Sequence, residues 1–146
     1  LANQIPLFLL TDLDQLICAP TLVSSWMGGV NILPGPNFVF RVAVREVESW
    51  ILADEQGCKN FFGFKTVPRN PDTLADPKQT LLHLAAKAKR EIRENLIVTR
   101  GALAAQGVGY NATLTHFVEQ TWDPRRALLN SPSLQKACDK LKSLEQ

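Results

Sequence analysis

Ile5-Pro6-Leu7-Phe8-Leu9-Leu10 runs without a charged residue into Thr11-Asp12-Leu13-Asp14. So short an apolar run reads as a strand. Its unbroken hydrophobicity suits a strand covered on both faces, the kind found in parallel sheets. Pro6 is tolerated near a strand's start. The two aspartates then fall at the strand's carboxyl end, the edge of an open α/β sheet where ligands bind.

The rest of the chain supplies what such a strand needs. Ala19 to Met27 can form a helix after Pro20, stopped by Gly28-Gly29. Pro34-Gly35-Pro36 is a turn, and Phe38 to Val44 is β-branched and aromatic, a second strand. From Glu46 to Glu55 the period changes: Val47, Trp50, Ile51 and Asp54 fall at i, i+3, i+4 and i+7 of a helix, so strand and helix form half of a βαβ unit. Gly57 to Asp76 is rich in Phe, Pro, Asn and Gly and reads as a packed irregular segment. Asp76-Pro77 starts a helix expected to reach about Leu96, with Leu81, Leu84, Ala85 and Ala88 on one face. Lys87 with Glu91 and Arg90 with Glu94 are i,i+4 pairs on its solvated side. Helices are also expected over Ala112–Gln120, after Asp123-Pro124, and over Ser133–Leu144, the last with Leu134, Ala137, Cys138, Leu141 and Leu144 inward. The pattern predicts one α/β domain over residues 1–146: a small, mainly parallel sheet with flanking helices and a helix-rich C-terminal half.

A length of 146 residues suffices for a core without disulfides or a structural metal. A formal charge of +2 is too small to announce a polyanion partner, so nucleic acid has to be argued from a site. Cys18, Cys58 and Cys138 are widely spaced with no C-x-x-C, which suits reduced thiols in a cytoplasm. No apolar run is long enough to span a bilayer, so no membrane partner is expected.

Chemistry concentrates at the two strand ends. In an extended strand, Asp12 and Asp14 point to the same side and can converge on one ion. Carboxylates are the hard oxygen ligands that Mg²⁺ or Mn²⁺ prefers. Two Asp after a strand equally often cap a helix or close a turn. Glu46-Val47-Glu48 follows the second strand, flanked by Arg41, Arg45 and Trp50. If the strands are parallel neighbours, both acidic pairs share one rim, where they repel unless a cation compensates. The alternative is that Glu46 and Glu48 merely suit the positive end of the helix beginning there.

Leu7 to Asp14 resembles the strand-plus-DxD element of TOPRIM domains. Arg41 to Asp54 resembles the "R-x-x-E-x-E-x-W-L-x-A-D" segment of an uncharacterised bacterial TOPRIM-like family related to the overcoming-lysogenization-defect nucleases. Asp76-Pro77-Lys78 followed by Leu81 or Leu82 resembles that family's "N/D-P-K-x-x-L" element, and Ser131-Pro132-Ser133-Leu134 its "S-P-S-F" element. The resemblance implies metal-dependent phosphodiester hydrolysis, in phage defence or a toxin-like system. Asp12 and Asp14 match the metal ligands, with Glu48 or Glu46 as the later acidic position. Lys78 and Arg45 would neutralise charge on a phosphate. TOPRIM domains carry a Glu on an earlier strand, followed by a helix. That element has no counterpart in the eleven residues before Asp12, so the chain is expected to be a fragment lacking it. Implied partners are a DNA or RNA substrate, an ATPase and a second copy in a homodimer.

Two other readings compete. A haloacid-dehalogenase-like phosphatase also uses D-x-D after a strand, but its chemistry needs a hydroxyl at position 16, where this chain has Leu. A catalytically inactive interaction module partnering an ATPase would use exposed aromatics such as Trp26, Trp50 or Trp122. His83 and His116 lack metal-like spacing, Gly107-Val108-Gly109 lacks the Lys and Ser/Thr of a phosphate loop, and Cys18 has no His near it in sequence.

Overall fold

The computed structural model of the chain describes residues 6–13, 18–28, 37–43, 46–100 and 103–144. β1 (Leu7–Asp12) and β2 (Phe38–Ala43) pair in parallel, from Leu7 opposite Phe38 to Asp12 opposite Ala43. Between them in sequence runs α1 (Ala19–Met27), with Pro20 in its first turn, where a missing N–H goes unmissed. Parallel pairing sets both carboxyl ends at one edge. β1 is less covered than its composition suggests. With β2 its only neighbour among the described residues, Leu7 is 58% and Leu10 37% exposed.

α2 (Val47–Ala53) is the most enclosed helix: six of its seven residues are buried, Glu48 and Ser49 included. A three-member apolar stripe therefore understated its burial. The helix ends at Ala53, because Asp54 leaves the helical region (φ −85°, ψ 76°) and its carboxylate accepts the Gly57 N–H at 3.0 Å. That contact starts α3 (Glu55–Phe62), which Gly63 closes in the left-handed conformation (φ 74°), donating its N–H to the Lys59 carbonyl. The segment read as irregular thus contains most of α3 and a 3₁₀ turn, Pro71–Thr73.

α4 (Pro77–Ala86) starts as expected, with the Asp76 carboxylate accepting the Gln79 N–H. The single long helix does not form. The chain breaks over Lys87–Lys89 and resumes as α5 (Arg90–Leu96), so Arg90 pairs with Glu94 at 2.6 Å while Lys87 and Glu91 flank the break without an ion pair. An antiparallel hairpin follows, β3 (Ile97–Arg100) with β4 (Leu103–Gln106). α6 (Tyr110–Gln120), α7 (Pro124–Ala127) and α8 (Pro132–Lys142) complete a mostly helical α/β chain. Leu134 and Ala137 of α8 are buried, whereas Leu141, expected inward, is 39% exposed.

Two apolar clusters meet at α2. Ile51 and Leu52 join Phe62, Leu81, Leu96 and Phe117 in the larger. Trp50 and Ala53 join Ala43, Leu134 and Ala137 in the smaller, and Trp122 packs against both. Among the described residues no helix is long and apolar enough to cross a membrane.

Candidate functional site

The register of β1 and β2 brings the Asp12 carboxylate to the start of α2, where it accepts the Val47 N–H at 2.8 Å. Val47 separates Glu46 from Glu48, so three acidic side chains gather at one rim. A fourth, Asp76, arrives with the N-terminus of α4, because Glu46 Oε2 accepts the Lys78 N–H at 2.8 Å. Glu46 therefore serves the positive end of α4, a helix distant in sequence, and makes no side-chain cap to its own helix.

Burial and the negative field of Glu48, Asp76 and Asp12 raise the proton affinity of Glu46, and the bond from the Lys78 N–H only partly offsets them. Glu48 is buried and accepts the Tyr110 hydroxyl at 2.7 Å. Burial, then the bond to Glu48 and the surrounding carboxylates, push the Tyr110 phenol well above its ordinary range, so it stays a donor. Lys78 Nζ lies 5.4 Å from the Tyr110 ring centroid, placing the one cation of this cluster among the described residues over an electron-rich face. Phe in place of Tyr110 leaves a buried carboxylate without its donor. The expected loss is about 1–3 kcal/mol, read from urea denaturation, and an unchanged midpoint would show that Glu48 finds another partner.

Of the residues singled out in the sequence, Asp12, Glu46, Glu48 and Lys78 converge here. Asp14 and Arg45 lie outside the described residues. Asp76 and Tyr110 were missed. Asp76 was read as a helix cap and as part of the N/D-P-K-x-x-L element but not as a site residue, and Tyr110, just past Gly107-Val108-Gly109, carries no signal until the fold brings it against Glu48. The donor set suits a hard divalent ion in kind: carboxylates, with one oxygen each of Glu46 and Glu48 without a hydrogen bond among the described residues. As they stand, no three described His, Cys, Asp or Glu side chains are arranged to hold an ion.

Two further acidic residues, Asp54 of the Arg41–Asp54 segment and Asp72, hold the scaffold. Asp54, fully buried, accepts from Gly57 N, Asp123 N and, in a fork, Arg126 Nε and Nη2, both at 2.7 Å. Asp72 accepts the Ser131 hydroxyl and the Ser133 N–H at the head of α8, and Trp50 Nε1 donates to Ser133 Oγ at 2.7 Å. Burial of Cys58 raises its thiol far above the usual range, so it is an inert core group. Compared with known proteins, the chain matches no family model, no curated protein and no solved structure.

Proposed function

We propose that the acidic rim is a TOPRIM-type centre for Mg²⁺- or Mn²⁺-dependent phosphodiester hydrolysis, with a nucleic acid as substrate. The observation that carries this reading is the meeting of Asp12, Glu46, Glu48 and Asp76 where two parallel strands end. Four carboxylates in one field are mutually destabilising, and a divalent cation relieves them. Asp12 and Glu46, with Asp14 following on the chain, are the residues to hold it; Glu48 stands behind them, fixed by Tyr110. A bound ion of this kind polarises a phosphate and makes water a stronger nucleophile. The Lys78 ammonium, free of any ion pair among the described residues, is placed to stabilise charge building on the phosphate oxygens.

The test is a calorimetric titration of the chain with Mn²⁺, beside Asp12→Asn and Glu46→Gln. Both substitutions keep an oxygen to accept the Val47 or Lys78 N–H, so the fold is retained. Each variant should weaken binding by about tenfold or more, and Mg²⁺-dependent cleavage of DNA or RNA should fall with it. Identical isotherms for the three proteins would remove the metal centre and the nuclease reading together.

A further inference from the structure

Phe40, Arg41 and Val42 of β2 line a groove of about 980 Å³, walled by Pro20, Val23 and Ser24 of α1 on one side and by α8 on the other. That volume is at the upper end for a small-molecule site. On α8 the groove-facing residues include Lys136, Lys140 and Ser143, one helical stripe, with Ser133 a turn earlier. From β2 comes Arg41, half-buried. Its Nη1 donates to the carbonyl of its own neighbour Phe40 at 3.1 Å, while its Nε is sealed from solvent and has no hydrogen-bond partner among the described residues. Among the described residues no carboxylate pairs with it.

A guanidinium whose Nε is sealed from water and unpartnered among the described residues is unfavourable unless an acceptor completes it. Two acids also line the groove. Asp72 accepts from Ser131 and Ser133, and Asp139 from Gln135; neither is paired with Arg41. Three cations, three hydroxyls and walls of Pro20, Val23, Phe40 and Val42 make a site for an anion with an apolar body.

We infer that this groove binds a phosphate group carried on a nucleotide-sized body, with the half-buried Arg41 as the anchor and Lys136 and Lys140 at the mouth. Guanidinium geometry suits two phosphate oxygens at once, and the apolar walls suit the face of a base. The inference does not depend on the acidic rim: it needs no metal, and its residues are different ones.

The probes are uridine 5′-monophosphate, inorganic phosphate, uridine and a short oligothymidylate, titrated in metal-free buffer and followed by amide NMR shifts and calorimetry. The nucleotide should shift amides of α1, β2 and α8, and uridine should bind far more weakly. Arg41→Gln should weaken the nucleotide by about tenfold or more without lowering the thermal midpoint, because no ion pair is lost. Lys136→Gln with Lys140→Gln, both on the surface, should flatten the salt dependence of binding. Tighter binding of oligothymidylate than of the mononucleotide would mark the ligand as a strand, and the reverse order as a free nucleotide. Absence of binding by all four probes, or equal binding by the wild type and both variants, would overturn the inference.

Discussion

Replacing Arg126 with Met is expected to cost about 3–5 kcal/mol of stability, the usual range when a buried ion pair loses one member. The size follows from an asymmetry. The Arg126 side chain is 41% exposed and shares its charge with water, whereas the Asp54 carboxylate is wholly buried. Removing the arginine strands that carboxylate with two backbone N–H donors, Gly57 and Asp123. The pH dependence carries a distinct signature. Burial alone would raise the Asp54 pKa, but the Arg126 fork, the two N–H bonds and the Arg126 charge hold it below the ordinary carboxylate value. A depressed folded pKa contributes stability above the unfolded pKa of about 3.9 and loses it as pH falls through the folded value. Without Arg126, burial dominates and protonation favours the native state. The stability gap between the two proteins should therefore narrow as the pH drops from 7 toward 4, which urea titrations at several pH values would read. A gap constant with pH would mean that Arg126 acts through packing alone. Gly57 belongs to the same arrangement, since a Cβ there would stand 2.8 Å from Asp54 Cγ.

The second large effect is Phe62→Ala, at about 3–5 kcal/mol. Phe62 is fully buried and stacks on Phe64 with centroids 4.9 Å apart. It also meets Phe61 at 4.8 Å and Phe117 at 4.7 Å. These rings join α3 to α6, two helices that share little backbone pairing, so the void cannot close by a local shift. Phe62→Leu keeps most of the volume and should lose less than half as much. Equal midpoints for the two variants would show that the cluster collapses around the gap. Neither variant touches the acidic rim, so Mn²⁺ binding by the folded fraction should be unaltered.

The β1–α1–β2 unit was legible because each element carries its own signal: continuous apolar runs for the strands, Pro20 and Gly28 for the helix ends. The convergence of Asp12 with Glu46 and Glu48 was legible for the same reason, since parallel strands with carboxyl ends at one edge leave the following residues little choice of place. What escaped depends on contacts between distant residues. α3 contains a glycine and carries its apolar residues, Cys58, Phe61 and Phe62, only beyond it, and it stands on the Asp54 cap and the left-handed Gly63. The break between α4 and α5 has no Gly or Pro to announce it. It lies where the Lys89 stem crosses Gly63, a contact made in three dimensions only. β4, Leu103-Ala104-Ala105-Gln106, has no β-branched residue to announce a strand, and it forms by pairing with Ile97 to Arg100.

The ties that satisfy α2 and its flanks reach far along the chain: Trp50 to Ser133 across 83 residues, Asn130 to the Ala53 carbonyl across 77, and Asp54 to Arg126 across 72. During synthesis from the N-terminus, the most enclosed helix would have to wait for α7 and α8 before its polar groups found partners. Loop closure over such spans is slow. The nascent first two thirds would thus hold an unfinished centre, and α7 with the first turn of α8 acts as the latch that commits the whole chain at once.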